Sequence, residues 1–182
     1  LEQGTVYVDA DPAAVPAALV VATRHGDVRH VGTQYLVSSD AAGATPGLAV
    51  AVREGEVAIA PGSTAAGAAT ALTARAGEYL ELRADAAPVR GTVTPDDARW
   101  QWLQRAPAPF ALEGRTLGEF LRWYQRETGR RVALAGDAAR IRSIVLHGSI
   151  DDLAPDDALA AVAASIDFVL LRSEQGLSLR AR

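Results

Sequence analysis

The sequence predicts an α+β fold in more than one domain, with an all-β domain first and a smaller mixed domain second. Three observations predict this. Apolar residues alternate with a period of two from Thr5 to residue 93, and turn residues interrupt them at intervals of about eight to twelve residues. The period changes at Thr94. Beyond residue 110, segments of helical period alternate with short strands. The first pattern is typical of a sandwich or roll, and the second of a compact α+β domain.

The N-terminal domain, residues 1–93, is predicted to consist of short strands. They fall at residues 5–9, 18–24, 27–31, 33–38, 48–53, 56–60, 70–74, 78–83 and 89–93. Gly32 predicts a turn between two of them. Gly55, in Arg53-Glu54-Gly55-Glu56, predicts a tight hairpin in which glycine supplies the positive φ.

Residues 94–109 are predicted to be a linker that contains a short helix. Thr94-Pro95-Asp96-Asp97 resembles a capping box with proline at the first helical position. Pro107 and Pro109 then end the helix and stiffen the joint. The domain boundary is therefore placed at this segment.

The C-terminal domain, residues 110–182, is predicted to follow the order β-α-β-β-α-β-β. The first helix begins at a capping box, Thr116-Leu117-Gly118-Glu119, and ends at Gly129. A second helix begins at Pro155 and runs to residue 165. The predicted strands are residues 110–112, 131–135, 144–149, 168–172 and 177–180.

Composition excludes several functions. The net charge of −4 argues against sequence-independent binding of nucleic acid. All 18 basic residues are arginine, and there is no cysteine, so disulfides, a thiol nucleophile and a thiolate metal site are excluded. No run of 18 apolar residues predicts a membrane-spanning helix.

No motif predicts catalysis, a cofactor or a metal. In Gly26-Asp27-Val28-Arg29-His30-Val31-Gly32 the glycines lie between strands, whereas a phosphate loop or dinucleotide fingerprint precedes a helix. His25 and His30 are five residues apart with no third ligand nearby, and His147 is remote in sequence. The paired aspartates fit helix capping better than acid–base chemistry. We therefore expect a protein that is not an enzyme.

Four motifs in order resemble the FecR family. They are Gly26-Asp27-Val28, then Gly32-Thr33-Gln34-Tyr35-Leu36-Val37, then the segment from Val50 to Val57, and finally Ala76-Gly77-Glu78. The resemblance implies that residues 1–93 are the FecR β-domain. It also makes the block from Thr94 onward the join to a subdomain similar to the short N-terminal (STN) domain of secretins and TonB-dependent receptors. That subdomain is a βαβ-βαβ fold with two helices and two small sheets.

The resemblance implies the periplasmic, signal-receiving region of a single-pass inner-membrane regulator. A cytoplasmic segment and a transmembrane helix would precede Leu1. The cytoplasmic segment would bind an extracytoplasmic-function sigma factor. The periplasmic region would bind the N-terminal signalling domain of an outer-membrane TonB-dependent transducer, of the kind that handles ferric siderophores.

The residues themselves indicate one candidate partner-binding surface. Basic residues are dense between Arg115 and Arg142, which is compatible with a polarised docking surface or with solvated faces. The candidate surface consists of Arg130, Arg131, Arg140, Arg142, Ile144, Leu146 and Ile150. Two alternatives remain: an STN-containing structural or secretion-associated module that assembles into rings, and a carbohydrate-binding β-domain with an aromatic-lined cleft or converging carboxylates.

Overall fold

The computed structural model describes residues 1–10, 19–41, 46–62, 71–83, 86–105, 107–173 and 176–182. The chain divides into two compact units, Leu1–Thr94 and Pro95–Arg182. The protein is mostly β, since 44% of the described residues are in strands and 22% in helices. The α+β fold class expected from the sequence is therefore wrong, and the reason lies in the second unit.

The first unit contains one antiparallel sheet, seven-stranded over the described residues. Its strands are β1 Gly4–Asp9, β2 Val20–Thr23, β3 Gly26–Ser39, β4 Leu48–Pro61, β5 Leu72–Arg75, β6 Glu78–Leu82 and β7 Val89–Thr92. The long strands β3 and β4 pair with each other at the centre. Strands β1 and β2 pair with opposite ends of β3, and β5 and β6 pair with opposite ends of β4. Strand β7 extends the sheet beyond β6.

Gly32 and Gly55 bend strands rather than separate them, so the two turns predicted at these glycines are wrong. Their φ angles are +60° and +79°, and both residues lie inside continuous 14-residue strands. The register between β3 and β4 shifts between Val31 and Tyr35, as in a β-bulge. A Cβ atom on Gly55 would lie 2.4 Å from Thr33 Cγ2 and 2.7 Å from the carbonyl oxygen of Gly32. Glycine is therefore required where the two bends meet.

The bent hairpin folds the sheet over on itself. A straight strand of 14 residues would be about 45 Å long, yet His25, before β3, and Asp40, after it, approach to 2.8 Å (Nε2 to Oδ1). The first half-sheet contains β2, β5 and the adjoining ends of β3 and β4, and the second half-sheet contains β1, β6, β7 and the other ends. One core cluster takes side chains from both half-sheets, including Val28 and Ile59 from the first and Val37, Val50 and Leu80 from the second.

The second unit combines helices with a single small sheet. Two 3-10 helices, Ala98–Trp100 and Leu103–Arg105, come first. The remaining elements are α1 Leu117–Thr128, β8 Val132–Ala135, α2 Ala138–Arg142, α3 Pro155–Ser165, β9 Phe168–Ser173 and β10 Gly176–Ala181. The strand order is β8-β10-β9, with β8 parallel and β9 antiparallel to β10.

The second unit is not the βαβ-βαβ STN-like domain that was predicted, because two expected strands do not form. Residues 110–112 are not in a strand, and residues 144–149 contribute only an isolated bridge between Val145 and Thr116. The latter segment follows α2 directly, with Ile144 N–H donating to the Ile141 carbonyl at 3.2 Å. It reaches Gly148, whose φ of +108° departs from extended geometry, after a few residues. The described residues of the second unit therefore contain one sheet and not two.

Helix α1 matches its prediction and organises the core of the second unit. Thr116 Oγ1 accepts from Glu119 N–H at 3.3 Å, and the Glu119 carboxylate accepts from Thr116 N–H at 2.8 Å, which completes the capping box. Gly129 ends the helix in the left-handed region, with φ +73°. The apolar stripe of this helix is fully or nearly fully buried; it consists of Leu117, Phe120, Leu121 and Tyr124.

The start of the second unit differs from the predicted capping box. The first 3-10 helix is capped by Asp97, whose carboxylate accepts from Arg99 N–H at 3.0 Å, so Thr94 is not the cap. Among the described helices, none combines the length and the apolar character needed to cross a bilayer.

Candidate partner-binding surface of the second unit

The predicted basic residues separate into one mostly buried and three exposed side chains. Arg131 precedes β8, whereas Arg140 and Arg142 lie on α2, and all three are exposed. Asp137 caps α2 by accepting from Ala139 and Arg140 N–H, both at 3.1 Å. Two cations at the C-terminal end of this short helix also match the negative end of its dipole.

Arg130 is an internal ion-pair residue rather than a free cation. Only 15% of its side chain is exposed. Its Nη2 donates to Asp156 Oδ2 at 2.9 Å, its Nε lies 3.5 Å from Asp96 Oδ1, and its guanidinium lies 5.8 Å from the centre of the Tyr124 ring. It thereby joins α3 to the segment that opens the second unit.

Tyr124, Asp156 and Arg130 form one hydrogen-bonded group. The Tyr124 hydroxyl donates to Asp156 Oδ1 at 2.6 Å. Burial, followed by this hydrogen bond to a carboxylate, raises the pKa of Tyr124. Burial alone would raise the pKa of Asp156, but the hydrogen bonds from Tyr124 and Arg130 outweigh it, and the net pKa is lowered. Asp156 is therefore a carboxylate at neutral pH.

The predicted apolar members lie mainly inside the molecule. Leu146 is 1% exposed and Ile150 is 7% exposed, and both belong to the core of the second unit. Ile144 is partly buried against the same core. Of the apolar side chains in this segment, the structure instead exposes Val145, with half of its surface accessible.

The backbone of residues 144–146 pairs with residues 114–117, and no other described segment pairs with it as a strand. Leu146 N–H donates to the Arg115 carbonyl at 2.7 Å, and Leu117 N–H donates to the Ile144 carbonyl at 2.8 Å. In an antiparallel pair with this pattern, the polar backbone groups of the middle residue point the other way. The N–H and carbonyl of Val145 are thus directed away from residues 114–117, as on an edge strand.

The charged side chains of Arg115 and Glu113 form ion pairs and hydrogen bonds with their neighbours. Arg115 Nη1 lies 3.1 Å from Glu119 Oε1. Glu113 accepts from Gly148 N–H at 2.7 Å and bonds to His147 Nδ1 at 2.8 Å. The Gly148 hydrogen bond, and then that of His147, lower the pKa of Glu113. We call the exposed group formed by Arg140, Arg142 and Val145 the α2 surface.

The three histidines have separate structural partners. His25 bonds to Asp40, and His147 bonds to Glu113. His30 is buried, accepts from Leu19 N–H at 3.1 Å and stacks 6.1 Å from the ring of Tyr35. Burial raises the pKa of Tyr35 to about 12, so this phenol stays protonated. No group of three potential metal-ligating side chains occurs among the described residues.

Comparison with known proteins gives a distant structural likeness. No family model and no curated relative matches the chain. Two crystal structures, at 2.50 and 1.65 Å resolution, are similar, and each is described as a "putative anti-sigma factor" from Parabacteroides distasonis. The identities are 17% and 16%, and both TM-scores are 0.40. The alignments cover 99% of this chain and 78% of each crystallised chain.

Sequence reasoning missed Val145 because both faces of its segment are apolar. Ile144, Val145, Leu146 and Ile150 give no alternation that separates an inward face from an outward one. The one available signal was the preceding Asp137, a helix cap that marks α2 and therefore shortens any strand after it.

Proposed function

We propose that this chain is the periplasmic, signal-receiving region of a FecR-type regulator. In this proposal it binds the N-terminal signalling domain of a TonB-dependent outer-membrane transducer that handles a ferric siderophore. A preceding transmembrane helix and cytoplasmic segment connect it to an extracytoplasmic-function sigma factor. The signal is transmitted by binding of the partner, without chemical turnover.

The observation that carries the proposal is the ordered set of four motifs in the first unit. The first three lie in sequence along β3 and β4, and Ala76-Gly77-Glu78 spans the turn from β5 into β6. The motif valines Val28, Val37 and Val50 are buried in the core. The motif glycines have positive φ angles. The pattern therefore coincides with positions that define this bent sheet, and composition alone does not account for it.

Docking is assigned in the proposal to the α2 surface together with Arg131. Arg140 and Arg142 carry charge into solvent, and Val145, three residues after Arg142, has an exposed side chain. The outward-facing N–H and carbonyl of Val145 can pair with an extended backbone, while the cations select acidic partners. Arg130, Leu146 and Ile150, the mostly buried members of the predicted surface, are not assigned to docking.

Isothermal titration calorimetry tests the proposal with the whole chain and the signalling domain of the transducer encoded in the same genome. We expect Arg140→Glu/Arg142→Glu to weaken binding by roughly tenfold or more, because two attractions become repulsions. The binding should also weaken at high salt.

Arg29→Glu is the matched control, because Arg29 is an exposed strand arginine of the first unit. It should leave the affinity unchanged. Full affinity in the double variant would remove the α2 surface from the proposal. An absence of binding by the unmodified chain would remove the transducer as partner.

A further inference from the structure

A groove on the second unit has an apolar wall and an acidic rim. Its volume is about 580 Å³, within the range of ligand sites. The apolar lining comes from Pro107, Pro109, Phe110, Trp123, Ile150 and Leu153. Asp151, Asp152 and Arg105 supply its charged groups. None of these residues belongs to the α2 surface.

The aromatic wall is rigid. Trp123 Nε1 donates to the Ala108 carbonyl at 2.8 Å, which fixes the indole against the proline-containing segment. The Phe110 and Phe120 rings each lie 5.5 Å from the Trp123 ring, tilted by 35° and 34°. Ala108 N–H also donates to Glu127 Oε2 at 3.1 Å, so this wall is fastened to α1 at two points. Little ordering is therefore needed when a ligand binds.

The rim carries carboxylate charge that the described residues do not neutralise. Asp151 accepts one hydrogen bond, from Ser149 Oγ at 2.5 Å, and Asp152 has no side-chain partner in the described part of the chain. Asp152 adopts φ +63°, and Leu153 N–H donates to the Ile150 carbonyl at 3.1 Å, which closes a turn that brings both aspartates to the rim.

Among the described lining residues Arg105 is the only cation, so these residues together bear a net negative charge: two carboxylates against one guanidinium. An occupant with a positive side chain beside an apolar one complements both features. The cation can reach the carboxylates at the rim, while the apolar side chain packs against Phe110, Trp123 and Leu153.

The lining also distinguishes a peptide from a small polar metabolite. Small-molecule sites orient their ligands with a few precisely placed polar groups inside the pocket. Among the described lining residues only Ile150, 7% exposed, counts as buried, and the charged residues lie at the exposed rim. A sugar would need an open aromatic face, and the two phenylalanine rings already cover part of the Trp123 face.

We propose that this groove binds an extended peptide segment of a protein partner, with an arginine or lysine next to an aliphatic residue. The basic side chain lies at Asp151 and Asp152, and the aliphatic one lies against Phe110, Trp123 and Leu153. This groove is separate from the α2 surface. It selects a basic partner, whereas the α2 surface selects an acidic one.

Titration of the ¹⁵N-labelled 182-residue chain tests this by NMR, with the peptides acetyl-Gly-Ile-Arg-Gly-amide and acetyl-Gly-Ile-Glu-Gly-amide and with maltotriose. We expect the arginine peptide to shift amide signals of residues 104, 105, 108, 110 and 150–154 and the Trp123 indole signal. The glutamate peptide and maltotriose should shift none of them. Equal shifts with both peptides, shifts with maltotriose alone, or no shifts at millimolar peptide would each overturn the proposal.

Variants at the rim give the second measurement. Asp151→Asn/Asp152→Asn should weaken arginine-peptide binding roughly two- to fivefold, as expected for exposed ion pairs. Arg105→Glu should strengthen it by a similar factor. The control Asp157→Asn alters an exposed aspartate of α3 that does not line the groove, and should change nothing. Unchanged affinity in the Asp151/Asp152 variant would overturn the role of the rim.

Discussion

Single glycines set the geometry of the first unit. Gly55 and Gly77 have nearly the same φ angle, +79° and +82°, but their surroundings differ. A Cβ on Gly77 would meet only the Val93 carbonyl oxygen, at 3.9 Å, whereas a Cβ on Gly55 would collide with Thr33 and Gly32. Alanine substitutions at the two positions therefore separate the cost of backbone strain from the cost of steric overlap.

We predict that Gly55→Ala lowers the free energy of unfolding by clearly more than Gly77→Ala. The Gly77 variant has only the cost of a left-handed alanine, about 1–2 kcal/mol. The Gly55 variant adds the overlap, for a total of about 3 kcal/mol or more. Urea unfolding of both variants gives the comparison. Equal losses would mean that the sheet can open at the bend without cost.

The carboxyl group of Asp40 makes the stability of the first unit depend on pH. The hydrogen bond with His25, the Gly47 N–H at 2.8 Å and the Arg24 guanidinium at 3.3 Å lower the pKa of Asp40. Since the folded pKa lies below the unfolded value of about 3.9, the ionised carboxylate stabilises the fold above that pH. This contribution disappears as the pH falls through the lower folded pKa.

We therefore predict that Asp40→Asn lowers the urea midpoint at pH 7 and makes the midpoint fall less between pH 5 and pH 2. Asparagine keeps an acceptor for Gly47 N–H but loses the charge. Asp152→Asn is the control and should retain the full acid dependence. An Asp40 variant whose pH profile parallels that of the unmodified chain would show that other carboxylates, such as Glu113 and Glu119, dominate.

At the scale of elements, helix α3 lacks a side-chain cap. Ala154 occupies the cap position with extended backbone angles, φ −62° and ψ 150°, but has no oxygen to accept an N–H. Pro155 occupies the first turn, and Asp156 and Asp157 add favourable negative charge. The helix therefore forms with one stabilising contact missing.

Ala154→Ser is predicted to raise the free energy of unfolding by about 1 kcal/mol, because serine supplies the missing acceptor. The same substitution at Ala160, exposed within α3, should instead lower it by a few tenths of a kcal/mol, since serine has a lower helix propensity than alanine. Thermal or urea unfolding measures both. A stabilisation at Ala160 equal to that at Ala154 would show that capping is not the cause.

Arg130 joins α3 to the segment that opens the second unit and is mostly shielded from solvent. Arg130→Ala leaves Asp156 partly buried without its cation, and we predict a loss of about 1–3 kcal/mol, reduced from the fully buried case because Asp156 is one-third exposed. Arg131→Ala, at an exposed neighbour, should change stability by less than about 0.5 kcal/mol. If combining Arg130→Ala with Asp156→Asn costs the sum of the single changes, the two residues are not coupled.

At the scale of the whole molecule, periodicity predicted the strands of the first unit but not how they connect. A glycine between two alternating segments has the same sequence signature whether it forms a turn or a bend within one strand. Gly32 and Gly55 face each other across β3 and β4, and this long-range contact decides between the two. Helices α1 and α3 were predictable because their start signals, the capping box of α1 and Pro155 of α3, are local.

The candidate surface was predictable only in part, for the same reason. Arg140 and Arg142 stand out in the sequence as charges, and the structure exposes them. The sequence does not distinguish Arg130 from them, because its burial depends on Asp156, 26 residues away. Likewise, the inward position of Leu146 and the outward position of Val145 follow from hydrogen bonds to residues 114–117, which no local pattern encodes.

The continuous strands β3 and β4 have a mechanical consequence. Because each runs through both half-sheets, there is no seam along which one layer could peel from the other. The amides of Val28 and Val37, on opposite sides of the bend, should exchange with solvent deuterium at the same free energy of opening, within about 1 kcal/mol. A pulling force on either end of the first unit is then resisted by the entire sheet.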